Sequence, residues 1–187
     1  MAARQPAPPP LDLVEDFVNT LEMDWDQRDE ALGSPSDLGR WLSERGLMKV
    51  GVEPTAAEHA RALQVREDLR ALLLANNGEP LEEGVVDRMN EAARHAPLTV
   101  RFDDQANARL EAAATGTDGA LARILGVVFG AIVDGSWARL KACRNEDCTW
   151  VFYDSSKNHS ATWCSMRACG NRMKARAYRR RRAEEHA

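Results

Sequence analysis

All four cysteines of this 187-residue chain fall in its last quarter, at Cys143, Cys148, Cys164 and Cys169. The spacing C-x4-C-x15-C-x4-C sets two close pairs on either side of an insert. Each pair can come from one turn, and the insert can fold back to bring the pairs together around one ion. Zinc takes four ligands in a tetrahedron and suits thiolates. Four protein thiolates leave no open coordination position, so one structural zinc per chain is expected and not a catalytic one. Spacing alone leaves other states open: two disulfides, an iron–sulfur cluster, four free buried cysteines, or His159 in place of one cysteine. The N-terminus has no apolar secretory segment, and disulfides are uncommon inside cells, so zinc leads.

The insert is expected to form a hairpin. Thr149–Tyr153 reads as a strand, Asp154–His159 as a turn, and Thr162-Trp163-Cys164 leads into a helix that begins near Ser165. That order makes a knuckle, a hairpin and a helix, with the second cysteine pair at the helix N-terminus. The free amides and dipole there favour thiolate. A unit of this size buries little core, so metal would supply its folding energy.

Charge divides the chain at the same place. Residues 1–140 hold 14 Lys/Arg and 24 Asp/Glu, whereas residues 141–187 hold 11 and 5. From Arg172 to Arg182 there are seven basic residues and no acid. Arg172, Arg176 and Arg179 share one helical stripe, and Cys169, Met173 and Ala177 form the adjacent inward one. Arginine forks suit phosphates and guanine edges. The expected DNA contacts are Arg172, Lys174, Arg176, Arg179, Arg180, Arg181 and Arg182, with Lys157 from the hairpin in support. Blander roles compete: Arg172 and Lys174 can neutralise a four-thiolate zinc, and the basic tail can dock on the acidic body. RNA is an alternative partner. Asn171 can cap or bind backbone near the metal, or reach a base. Gly170 answers either to close packing or to an unusual backbone angle.

The acidic body reads as helical. Four of residues 1–10 are proline, and that segment is expected to be disordered. Apolar periodicity places helices at about 11–23, from a Ser36 cap through Trp41-Leu42, behind the Thr55–Glu58 capping box, and over about 81–94. Leu98, Val100 and Phe102 alternate as a strand that pairs with about 108–113. A long helix over about 118–141 carries Leu121, Ile124, Leu125, Val128, Phe129, Ile132 and Val133 on a broad inward side. Glu22, Asp24 and Asp26 could mimic DNA or bind a cation, but are expected to form a solvated acidic loop. No uninterrupted apolar run approaches the roughly 20 residues of a membrane span. The body lacks a phosphate loop, a nucleophile elbow and a zinc-protease motif, and His59 and His95 have no companion at ligand spacing. It is not read as an enzyme.

The segment Cys143-x4-Cys148-x-Trp-x-Phe-x-Asp154-x-Ser-x-Asn158-x-Ser160-x-x-Trp163-Cys164-Ser-Met-x-x-Cys169-Gly170-Asn171-Arg172-x-Lys174 resembles the CGNR zinc finger family. The body is similar to the ABATE domain that precedes this finger. That likeness rests on Asp16–Thr20, Asp37-Leu-x-x-Trp-Leu42, Asn90 to Pro97-Leu98, and the long helix running into the finger. The resemblance implies a bacterial, stress-induced transcription regulator. Ala161-Thr162 stand where the family commonly has two arginines, so the helix carries more of the expected DNA contact than the hairpin.

The sequence therefore predicts a mainly α chain with a small β-hairpin (α+β). Residues 1–10 are disordered, 11–141 form an ABATE-like helical domain, and 142–187 form a CGNR-type zinc finger with a basic C-terminal helix. Its expected function is DNA binding in the cytoplasm, with the body serving as a homodimer interface or a small-molecule sensor. A zinc-stabilised protein-interaction adaptor is the alternative.

Overall fold

The computed structural model describes residues 5–24 and 27–184. Helix α3 (Ala56–Ala75) is the spine of the body. Its first turn is closed as expected: the Thr55 hydroxyl accepts from the Glu58 amide at 3.2 Å, and Glu58 Oε2 accepts from the Thr55 amide at 2.7 Å. Ala62, Val65, Leu69 and Leu73 are buried on its inner face. Packed around it are α1 (Asp12–Val18), α2 (Pro35–Glu44), α4 (Val85–His95) and α5 (Gly116–Asp134). Helix α2 is capped by Ser34, which accepts from the Asp37 amide, and not by Ser36. Pro35 takes the first helical position, where its missing N–H costs nothing.

Helix α1 ends well before the expected residue 23. The chain turns instead into a hairpin of β1 (Leu21–Asp24) and β2 (Gln27–Glu30). Two buried arginines of α3 dictate this. Arg70 donates to the carbonyls of Val18 and Leu21, and Arg66 forms a two-pronged pair with Glu30 at 2.6 and 2.8 Å. Such long-range capture of main-chain carbonyls leaves no periodic trace. The predicted acidic loop is thus partly strand; Trp25 and Asp26 lie outside the described residues.

The expectation of disorder over residues 1–10 fails for 5–10. Ala7 is buried, and its amide donates to the buried Glu15 carboxylate at 2.5 Å. Residues 1–4 lie outside the described residues. The strand pair appears where predicted, as β3 (Leu98–Phe102) against β4 (Ala108–Ala112), with Val100 opposite Leu110.

Helix α5 contributes Leu121, Ile124 and Val128 to the core. It stops at Gly135, held at φ +81°, a conformation glycine adopts without penalty. The expected run to residue 141 is broken there into a short turn, Ser136–Arg139, and a strand, β5 (Leu140–Ala142). Phe129, Ile132 and Val133, expected inward, are exposed. By length and composition α5 is apolar enough to cross a membrane, which counting uninterrupted runs missed. Here its other face packs against all four neighbouring helices.

Strand β5 pairs antiparallel with β6 (Val151–Tyr153). Leu140, Ala142 and Val151 belong to the same buried cluster as Phe17, Leu69 and Ile124. The cysteine-bearing segment is therefore rooted in the body. Four side chains tie it there through main-chain groups. Asn19 both donates to the Val151 carbonyl and accepts from its amide, each at 2.9 Å, imitating a strand neighbour. Arg70 donates to the Thr149 carbonyl. Asn76 reaches the carbonyls of Trp137 and Leu140, and Asn77 those of Ala142 and Thr162. Asn77→Ala is expected to lower the unfolding free energy by about 1–3 kcal/mol, the cost of stranding buried acceptors. Urea denaturation followed by circular dichroism and tryptophan fluorescence should still give one coincident transition. Two separated transitions would mean that finger and body are independent.

Candidate metal centre and basic helix

The first cysteine pair sits in the turn between β5 and β6. The Cys143 amide donates to the Trp150 carbonyl, which extends the ladder by one rung. The amides of Cys148 and Thr149 both donate to the Asn145 carbonyl, at 2.8 and 3.0 Å, and close the knuckle. Of the second pair, Cys164 lies just before the capping Ser165 and Cys169 lies in a helical turn, Met166–Gly170, that leads into α6 (Asn171–Glu184). The Ser165 hydroxyl caps that turn by accepting from the Ala168 amide.

The four sulfurs lie within 4.8 Å of one another, with Cys148–Cys164 at 3.3 Å and Cys164–Cys169 at 3.4 Å. A disulfide requires about 2.05 Å, so the cysteines are unbridged. Two sulfurs about 2.3 Å from a shared tetrahedral ion stand about 3.8 Å apart, which is the scale seen here. An iron–sulfur cluster spreads its ligand sulfurs farther than a single ion does. Among the described residues the metal-ligand group consists of the four cysteines, without His159. His159 contributes its main chain, taking a φ of +50° and accepting from Lys141.

Crowding sets the proton affinities of the thiols apart. Hydrogen bonds from the Cys148 and Cys164 thiols pull the Cys143 thiol far below its usual range. The same contacts push Cys148 and Cys164 up, because a second thiolate beside the first is repelled. A divalent ion reverses that order and lets all four ionise. The buried Asn145 amide donates towards Cys169 Sγ at 3.6 Å and helps hold that ligand. Trp150, Phe152, Ala161 and Trp163 pack around the sulfurs.

The insert folds differently from the expected hairpin. Its strand, β6, pairs backwards with β5, and residues 154–165 wrap as a loop around Asp154. That buried carboxylate takes the Lys141 ammonium at 2.9 Å and the amides of Ser156 and Ala161. Burial alone would raise its pKa, but Lys141 and Ser156 bring it down to about 2. Lys141 also donates to the His159 and Ala161 carbonyls. Asp154 was visible in the sequence motif without a role. Sequence reasoning does not find Lys141 or Asn145: Lys141 offers the signal of a lone charge between Leu140 and Ala142, but Asn145 is one of four polar residues in the knuckle and offers none.

Gly170 serves close packing. A Cβ there would stand 2.7 Å from Met166 Sδ and 3.1 Å from Trp163 Cδ1. Asn171 makes a long local bond to the Arg167 carbonyl, consistent with backbone binding beside the metal.

Helix α6 has no buried residue; Met173 and Ala177 are half-covered, while Cys169 alone of that stripe is buried. Its charged side chains are exposed along the whole stripe. Arg176 pairs with Asp147 of the knuckle at 3.0 Å, and Arg182 lies over the Tyr178 ring. Lys157 is exposed on the loop, apart from that run.

This is the construction of a structural zinc finger carried on a helical body. Residues 139–182 match the model of the CGNR zinc finger, and residues 11–135 match the ABATE model, described as "Putative stress-induced transcription regulator". The chain belongs to the ABATE family and ends in a CGNR finger. No curated protein matches it. Cys143, Cys148, Cys164 and Cys169 hold one structural zinc.

Elemental analysis should find one zinc per chain and no red colour of thiolate-bound iron. Cys148→Ser should abolish stoichiometric binding. Because the ligands bind as thiolates, zinc affinity should fall as pH is lowered. Lys141→Met is expected to cost about 3–5 kcal/mol at neutral pH, since it leaves Asp154 charged and buried; thermal melts of the zinc-loaded protein measure it.

Proposed function

We propose that this protein is a bacterial transcription regulator of the stress response that binds DNA in the cytoplasm through α6. The observation that carries the reading is a helix with seven Lys/Arg from Arg172 to Arg182, no acid among them and no buried face. Like charges at i,i+4 repel, so the basic run works against the helix that carries it. Phosphates along a duplex would relieve that repulsion. The zinc site fixes the helix at its N-terminal end and aims it away from the core. Arg172, Lys174 and Arg179–Arg182 would make the contacts. Arg176 would reach DNA only by sharing itself with Asp147, and Lys157 would support from the loop.

One small finger offers a modest footprint, and specific sites are commonly read by dimers. The body would supply that dimer contact, or would sense a small molecule. The half-open groove lined by Pro8–Leu11, Leu98, Leu110 and α5 is the place for either.

Genomic-fragment selection with the zinc-loaded protein tests the reading. A shared sequence should be enriched. Affinity should fall with salt at a log–log slope of about −0.9 per phosphate neutralised. Arg179→Ala/Arg180→Ala/Arg181→Ala should make the slope shallower by up to about 2.7 and weaken all sequences alike. Equal weak binding by both proteins, abolished by moderate salt, would favour a protein-interaction adaptor.

A further inference from the structure

The apolar residues of α5 are only partly used by the core. Phe129, Ile132 and Val133 are 55, 56 and 71% exposed, and on the β3–β4 hairpin Val100, Phe102 and Leu110 are 60, 71 and 40% exposed. A helix that is apolar all round is ordinarily covered all round. These six leave roughly 600 Å² of apolar surface open, the upper end for a typical monomer (about 300–600 Å²) and close to the ~800 Å² per partner of a stable dimer. The two groups are continuous. Leu110 lines the groove with Gly126, Gly130 and Asp134, and Val133 follows Gly130 by one helical turn.

The surface matches itself. At about 100° per residue, Gly126, Gly130 and Val133 share one side of α5, with Phe129 on one flank and Arg123 and Asp134 on the other. A Cβ on Gly130 would meet nothing within 4 Å, so a second backbone can approach closely there, whereas a Cβ on Gly126 would meet Leu98 of β3 at 3.6 Å, which places the hairpin at the edge of the contact. Arg123 and Asp134 stand five and six residues from the midpoint of the two glycines. In a two-fold, antiparallel pair of α5 helices centred there, Arg123 lies beside the partner's Asp134. Phe129, one residue from that midpoint, then meets its own copy on the other flank, and Val133 lies level with the partner's Arg123. Arg123 keeps donors for this while bonding the Gly46 carbonyl.

We propose that a second copy of this chain covers the surface, with α5 packed antiparallel on α5 about Gly126–Gly130 and the β3–β4 hairpins closing over the contact. This deepens the dimer part of the proposed function and rests on it, but not on DNA binding. The dimer would carry two basic helices fixed relative to each other.

Light scattering on the full, zinc-loaded chain should give twice the chain mass. Phe129→Glu/Val133→Lys should give the single mass with unchanged zinc content. Gly130→Leu should do the same without a fall in Tm, because leucine favours helix over glycine and only the close approach is lost. Asp134→Arg should raise the dimer Kd at least tenfold, and adding Arg123→Asp should restore it. Val50→Lys, elsewhere on the surface, should leave the dimer intact. Arg179→Ala/Arg180→Ala/Arg181→Ala should lose DNA but stay dimeric, which separates failure of the DNA reading from failure of this one. A monomeric wild type overturns the proposal, as does a dimer indifferent to Gly130→Leu. Binding of a monomeric wild type to phosphatidylglycerol vesicles, lost in Phe129→Glu/Val133→Lys, would overturn it in favour of a lipid surface.

Discussion

The β5–β6 hairpin bears two loads. Its strands place Leu140, Ala142 and Val151 in the main core, and its turn holds two of the four zinc ligands. A thiolate centre this small cannot build its own core, since a few dozen residues bury too little surface. Rooting the turn in the body removes that difficulty. The metal then closes the hairpin turn onto the start of α6, and the body supports the metal in return. Metal binding and body folding are coupled through one short ladder.

Around that ladder the chain spends polar side chains where a simple core would use apolar ones. Asn19, Asn76 and Asn77 satisfy main-chain groups of the finger segment, and Arg66 and Arg70 organise the turn after α1. Each buried polar contact is directional, so it fixes register as well as proximity. The Lys141–Asp154 pair does the same for the loop between the second and third cysteines. The result is a finger held at a defined orientation, from which α6 departs without touching the core.

That departure gives the basic helix its meaning. A helix with no buried residue gains little from packing, and its charges oppose one another. What it offers is a positive rod anchored at one end by zinc. The exposed side of α5 is its apolar counterpart, a surface whose composition calls for cover. In the proposed regulator, α6 would serve the target and the open side of α5 a second copy.

Much of the site was readable in advance because the signals are local. The cysteine spacing, the Thr55–Glu58 box, the alternation in Leu98–Phe102 and the basic run each involve residues near one another in sequence. Some misses were local, as with the Ser34 cap and the stop at Gly135, but the larger ones depend on residues met only in the fold. The shortened α1 depends on Arg66 and Arg70, some fifty residues on. The true hairpin pairs strands on either side of the first knuckle, and ordered Ala7 depends on Glu15 and the core beyond it. Apolar periodicity in Phe129, Ile132 and Val133 correctly marked a helix, but it could not say whether the chain itself covers that side. Cysteine count and spacing thus marked the candidate thiols and the sign of the last helix, since coordination chemistry and charge belong to residue types and spacing, while the folded distances were needed to set aside disulfides and His159. Tertiary structure decided which apolar faces are covered, which polar groups are buried, and that finger and body share one core, because those depend on neighbours the chain meets only once folded.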